Sequence, residues 1–301
     1  MVLVFDNDRL SSVPTDINAF YATYPCLVES AELLNSLPVQ VIEEESSIYV
    51  HQREFCVTSK DTPITFIGSD DATTCLILVL SDTTSGVSGV IHLDGCDITG
   101  SINRMIDKIS AVSGSPASCL SAHVVGGFDD TRGLSSKLAL SVLRTLHSCQ
   151  AFILVVSMCV CGENTVVKDE KPWPGIMGIV FNVKDGSLHP ASWNNRGPEA
   201  VLRSARVFAG DPHVYDVYDS SSQKLSIHPF ETESQNEYLM YLTLTDDKIR
   251  QFFSTSPDQE PDHFVKNVRE SFQLLSSGAD LFPSKEPLVY VFRESRWTRE
   301  H

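Results

Sequence analysis

A cysteine and a histidine 17 residues apart, Cys75 and His92, are the pair in this chain whose types and spacing could do chemistry. Cys75 closes the small, polar tract Gly68-Ser69-Asp70-Asp71-Ala72-Thr73-Thr74 and opens an apolar run, Cys75-Leu76-Ile77-Leu78-Val79-Leu80. His92 ends the next apolar run, and the turn formers Ser81-Asp82-Thr83-Thr84-Ser85-Gly86 separate the two. A hairpin centred between Thr83 and Thr84 makes Cys75 and His92 direct cross-strand neighbours, with Cβ atoms roughly 4.5–5.5 Å apart. A bulge would displace that register by one residue. A thiol beside an imidazole is the minimal apparatus of a cysteine nucleophile: the histidine takes the thiol proton and later protonates the leaving group. The histidine needs a third group to fix its ring, and Ser69, Asp70, Asp71 and Asp94 stand close by in sequence. Plain structural roles compete with these. Free cysteines are mostly small buried hydrophobes, a lone strand-end histidine mostly lies at the surface, and aspartate-rich turns are mostly solvated caps.

The elements that must position the pair read as α+β. Helix-like stretches fall at 28–37, at Ile102, Met105, Ile106 and Ile109, at Leu134, Leu138, Val142 and Leu146, after Pro198 up to Gly210, and from Pro261 to Gly278. Strands are predicted over 48–58, 64–67, 75–80, 87–93, 122–125, 152–160, 176–183, 214–218, 225–227 and 288–292, with an exposed loop at 162–175. In 75–80 both faces are apolar, Ile77 and Val79 on one and Leu76, Leu78 and Leu80 on the other. A strand buried on both faces needs a layer on each side, which two packed sheets with outer helices supply. The chain is expected to form a single domain over 1–301, with a weaker division into 1–161 and 162–301.

Composition excludes several classes. With 39 acidic against 23 basic residues the net charge is −16, which argues against nucleic-acid or anionic-membrane binding. An acidic surface suits a substrate with a free amine, and solubility explains it equally well. Residues 1–6 lack the basic and apolar regions of a signal peptide, and the longest apolar stretch, 151–161, is well short of the ~20 residues of a membrane span. Eight dispersed cysteines read as reduced thiols of an intracellular protein. Cys159 and Cys161 would share a strand face, but no CxxC pair or HExxH accompanies them, so no metal is expected. Gly126-Gly127 marks a strand-to-turn transition without a nucleotide-binding fingerprint, and His123 before it reads as structural.

Several segments resemble the protein N-terminal asparagine amidohydrolase family of animals. They are Tyr49-Val50-His51-Gln52-Arg53-Glu54, Gly68 through Cys75, His92-Leu93-Asp94-Gly95, and His123-Val124-Val125-Gly126-Gly127-Phe128. Arg196-Gly197-Pro198-Glu199, Ser254-Thr255-Ser256-Pro257 and His263-Phe264-Val265 continue the likeness. It covers nearly the whole chain and is least close over 1–40 and 162–175. The resemblance implies a cysteine amidohydrolase that converts an N-terminal asparagine of a protein or peptide to aspartate, releasing ammonia, without metal or organic cofactor. It further implies a place in the N-degron pathway, with arginyltransferase and ubiquitin ligase machinery as downstream partners. The 17-residue spacing is similar, more distantly, to that of bacterial chemoreceptor glutamine deamidases. Those enzymes and certain deamidating toxins share a layered sandwich of two central sheets with outer helices, and a polar residue shortly before the cysteine, here Ser69. On this reading Asp71, Asp94 and Glu54 are the carboxylates available to a free α-ammonium, and backbone N–H groups at Thr74 and Cys75 are available to an oxyanion. Deamidation of internal glutamine or asparagine, and a non-catalytic module that binds protein N-termini, are the alternatives.

Overall fold

The run after Cys75 forms the strand Leu76–Asp82, and its hairpin partner is Val87–Leu93; every residue of both is buried. The structure is a computed structural model that describes residues 3–5, 8–9, 12–117, 119–232 and 235–300. The hairpin lies inside an eight-stranded mixed sheet ordered Tyr215–Asp216, Glu54–Ser59, Val87–Leu93, Leu76–Asp82, Cys119–Gly126, Phe152–Val160, Leu3–Phe5, Asp8–Arg9. Leu76, Leu78 and Leu80 face one core, where Ile102, Met105 and Ile109 of helix Ile98–Ser113 and Leu138, Val142 and Leu146 of helix Leu134–Ser148 cover them. Ile77 and Val79 face a second core against Ile67, Ile179 and Phe181. Those three belong to a five-stranded sheet ordered Gln40–Ile42, Leu188–Trp193, Ile179–Asn182, Phe66–Ser69, Ser47–Tyr49. Helices, sheet and sheet therefore stack in layers, the α+β arrangement that the two-faced apolar strand requires.

The turn centre is displaced by one residue from its predicted place. Ile77, rather than Cys75, faces His92, and Leu76 faces Leu93. Asp82 organises the turn by accepting from the N–H groups of Thr84 and Ser85 and the Ser85 hydroxyl, with Gly86 at φ 71°. One residue of displacement at the turn moves the pairing by two, so strand alternation keeps Cys75 on the face of Ile77 and His92. The two become diagonal rather than direct neighbours.

Other local readings also change. The predicted strand 48–58 is two strands, Ser47–Tyr49 in the smaller sheet and Glu54–Ser59 in the larger. The chain crosses between sheets through a turn with Arg53 at φ 63°, which hydrophobic patterning does not register. The predicted loop 162–175 contains the antiparallel hairpin Thr165–Lys168 and Lys171–Pro174, turned by Asp169 and Glu170 at positive φ. Cys159 and Cys161 do not share a face. The strand ends at Val160, Cys161 sits at φ 52°, and the two thiols enter different cores. Helices Gln235–Leu242 and Asp246–Phe253, unpredicted, join Ala200–Phe208 and Phe264–Ser276 around Phe272, which packs on Tyr238, Tyr241 and Phe253. This helical cluster forms the wall facing Cys75 and His92.

Candidate active site

Two of the crossovers between the sheets occur at the same end of the sandwich, and that is where the polar residues collect. The first crossover carries Tyr49-Val50-His51-Gln52-Arg53-Glu54 from strand Ser47–Tyr49 to strand Glu54–Ser59. The second carries Ser69 through Cys75 from strand Phe66–Ser69 to strand Leu76–Asp82. Gly68 is required at the start of the second. A Cβ there would lie 2.1 Å from the Ile179 carbonyl oxygen and 2.6 Å from the Trp193 ring, so any side chain would push Ser69 out of place.

Ser69 and His92 meet across the two sheets. The Ser69 Oγ donates to the Val50 carbonyl at 2.5 Å and lies 2.7 Å from His92 Nδ1. A carbonyl only accepts, so the single serine proton is committed to Val50, and the hydroxyl oxygen accepts from Nδ1–H. The neutral imidazole then carries its lone pair on Nε2, which is buried and has no hydrogen-bond partner among the described residues. Burial pushes His92 down to about 4, against the carboxylates of Asp94, Asp71 and Glu54, which favour its charged form. Burial raises the Cys75 thiol well above its ordinary value, and the negative charges of Asp94 and Glu260 add to that. The resting pair is therefore a neutral thiol and a neutral imidazole. Cys75 is partly open to the cavity, and its backbone packs closely on Gly126 (φ 116°), where a Cβ would meet the Cys75 carbonyl oxygen at 2.7 Å.

A cavity of about 480 Å³ opens over these groups, within the range of small-ligand sites. Tyr49, His51, Asp71, Thr74, Cys75 and His92 line its floor, and Phe208, Phe253 and Phe264 of the helical cluster face them. Asp71, at φ 58°, lies 2.7 Å from Arg196 and 3.0 Å from His263 Nε2. Asp94 accepts from Arg53 at 2.6 Å and Gln52 at 2.7 Å. Thr74 Oγ1 lies 2.6 Å from Thr255 Oγ1 in the loop 254–260.

Glu54 is not brought into the cavity. Its carboxylate is fully buried behind the floor, where Arg203 holds it at 2.6 Å and Arg206 adds a second ion pair. No acidic substrate contact is left to it; its place is structural. His123 is likewise remote, bonded to Ser157 at 2.8 Å inside the larger sheet. Among the described residues, no group of three or more His, Cys, Asp or Glu side chains could hold a metal ion, and no helix is long and apolar enough to cross a membrane.

Three lining residues, Arg196, Thr255 and Glu260, lie outside the sequence reading of the site, and Asp70, read there only as a group that could fix the histidine ring, takes a different place. Asp70 accepts from Tyr49 Oη at 2.7 Å and from the Trp193 N–H at 2.8 Å, and pairs with Arg196 at 2.9 Å; burial and the neighbouring Asp71 raise it to about 6. Arg196 stacks its guanidinium 5.2 Å from the Tyr49 ring centre. Thr255 and Glu260 come from a loop far along the chain. The likeness of the segments around Arg196, Ser254 and His263 was the one available signal, and it attached no role to them.

Segments distant in sequence thus converge on one cavity, and comparison with known proteins gives that convergence a family. The model of the protein N-terminal asparagine amidohydrolase family matches residues 37–299. A mouse protein of that name is 36% identical over 96% of this chain and 92% of its own length. Its human counterpart is 36% identical over 98% and 96%, and one from Arabidopsis thaliana is 28% identical over 81% and 78%. With a family match across most of the chain and relatives aligned nearly end to end, this chain belongs to the protein N-terminal asparagine amidohydrolase family.

Proposed function

We propose that the chain is a cysteine amidohydrolase that deamidates the N-terminal asparagine of proteins and peptides to aspartate. The observation that carries the chemistry is the buried Nε2 of His92, without a hydrogen-bond partner among the described residues, on an imidazole that lines the same cavity as Cys75 and whose other nitrogen is held by Ser69. The name shared by its relatives supplies the substrate class. Because cavity residues come from both sides of position 161, residues 1–301 are read as one catalytic unit.

The reaction begins when the Cys75 thiol gives its proton to His92 Nε2 as sulfur bonds to the side-chain carboxamide carbon. Backbone N–H groups at Thr74 and Cys75 receive the developing oxyanion. His92 returns the proton to the nitrogen, the C–N bond breaks, and ammonia leaves a thioester. A water then gives a proton to His92 and bonds to the same carbon; the C–S bond breaks, the sulfur is reprotonated, and aspartate remains. Since both partners rest neutral, proton transfer accompanies attack rather than preceding it.

In the cell the aspartate so formed would enter the N-degron route, with arginyltransferase and ubiquitin ligases downstream, in the cytoplasm and nucleus.

Ammonia release from peptides beginning with Asn, Gln or Gly, and from an N-acetylated Asn peptide, tests this reading. Only the free Asn terminus should be turned over. Equal turnover of the Gln peptide would replace N-terminal asparagine specificity by general deamidation, and no release from any of them would leave a binding module.

Ser69→Ala removes the acceptor for Nδ1–H and the donor to Val50. Loss of a buried hydrogen-bond partner costs about 1–3 kcal/mol, so kcat should fall about 5- to 150-fold at little change in KM. Unchanged kcat would show that Ser69 does not set the ring.

A further inference from the structure

We propose that Glu260 is the residue that receives the α-ammonium of the substrate's first residue, an inference that rests on the amidohydrolase reading above. Among the described residues four carboxylates line the cavity, those of Asp70, Asp71, Asp94 and Glu260. Three already have cations. Arg196 lies 2.9 Å from Asp70 and 2.7 Å from Asp71, His263 adds a second contact to Asp71 at 3.0 Å, and Arg53 lies 2.6 Å from Asp94. Glu260 makes no ion pair among the described residues. Its side-chain partners are the neutral hydroxyls of Ser254 and, at 3.5 Å, Thr73. The guanidinium on its own side, that of Arg250, is spent on backbone: it donates to the Glu260 carbonyl at 3.1 Å and the Pro261 carbonyl at 3.5 Å.

A half-buried carboxylate without a cation is costly to keep ionised. Burial, with the charge of Asp71 adding to it, raises Glu260 to about 7, although the Ser254 and Thr73 hydroxyls and the Arg250 charge pull the other way. An arriving ammonium would supply the missing counter-charge. The position suits the substrate as well. Thr73, which reaches Glu260, is two residues before Cys75, and the Glu260 charge is close enough to act on the Cys75 thiol. In asparagine only three bonds separate the ammonium nitrogen from the carboxamide carbon, so the amine receptor has to stand beside the nucleophile. Two fixed points also explain a preference for asparagine. Glutamine anchored through the same amine would carry its carboxamide carbon one methylene past the sulfur, and misplacement by about 1 Å can cost on the order of 100-fold.

The test compares wild type and Glu260→Gln on an Asn-initiated peptide and on its succinamoyl analogue, in which hydrogen replaces the α-ammonium. Wild type should prefer the amine strongly. Glu260→Gln should lose about 30-fold or more in kcat/KM on the amine peptide, chiefly through KM, as expected for removing one partner of a desolvated charge pair. Its rate on the analogue should change far less than its rate on the amine peptide, so that discrimination collapses, and Glu260→Asp should restore part of it. Glu260 must be ionised to act, so wild-type kcat/KM on the amine peptide should fall as pH drops through about 7. That limb should vanish in Glu260→Gln, while the groups facing it (Asp71, Arg250, Arg196, His263, Asp94 and Cys75) are left in place. Equal losses on both substrates, or an acid limb retained in Glu260→Gln, would overturn the assignment. Absence of wild-type turnover on any Asn peptide would instead remove the amidohydrolase reading, and the assignment with it.

Discussion

Cys75→Ser is expected to reduce turnover of Asn-initiated peptides by about 10⁴- to 10⁶-fold while leaving the melting temperature within a few degrees of wild type. Losses of that order follow removal of a nucleophile from a group of residues acting as a unit. A serine hydroxyl is close in size and shape to the thiol, so packing against Gly126 and the cavity floor is preserved. The chemistry is not preserved. His92 is held down to about 4 by burial, which makes it a weak base, and the nearby Asp94 and Glu260 oppose a second anion at position 75. A thiol is acidic and nucleophilic enough to react under those conditions, whereas an alcohol, several units less acidic, is not. His92→Ala should fall nearly as far, and the double variant little further, since the two act in one step. Saturating ammonia-release assays with parallel thermal unfolding decide the matter. Residual turnover above about one per cent in Cys75→Ser would sink the cysteine mechanism.

The second large effect is on stability and concerns Glu54. Its carboxylate and the guanidinium groups of Arg203 and Arg206 are sealed from solvent together. Glu54→Ala leaves two buried cations without a counter-charge, a change that costs about 3–5 kcal/mol. Urea unfolding should show the loss directly, and a loss below about 1 kcal/mol would mean that water reaches the site. Burial alone would raise the Glu54 carboxyl, but the two arginines hold it well below the ordinary glutamate value of 4.5. The folded state therefore favours the ionised form. The stabilisation is fully present above pH 4.5 and is lost progressively as pH falls below that value. In Glu54→Ala this part of the acid dependence should disappear. The effect also reaches the site. Arg203 donates to the Tyr49 carbonyl at 2.7 Å and the Arg196 carbonyl at 3.1 Å, so the ion cluster holds two cavity residues from behind.

How far the sequence could be followed depended on the range of the physics involved. Strand Val87–Leu93, strand Phe152–Val160 and the apolar faces of helices Ile98–Ser113 and Leu134–Ser148 are local patterns, and they fold as read. The strand expected over 48–58 divides in two because its apolar content continues through a change of sheet, which Arg53 accomplishes by backbone conformation. The hairpin at 165–174 lacks a readable pattern because Val166 and Val167 are both exposed, so no period-two alternation marks it, and its turn uses Asp169-Glu170 rather than glycine. Glu54 was legible as a residue of interest and not as a buried one, because its partners stand 149 and 152 residues away. Glu260 carried no local signal at all.

By itself the sequence determined that Cys75 and His92 share one face at the end of a hairpin buried on both sides. Period-two alternation guarantees that, even with the turn centre displaced by a residue. Only the tertiary structure decided that Ser69 reaches His92 from another sheet, that Glu54 is sealed away by arginines, and that Glu260 stands in the cavity with no cation paired to it among the described residues. Alternation acts between residues a few positions apart, whereas hydrogen bonding across layers and charge compensation depend on which distant segments the folded chain brings into contact.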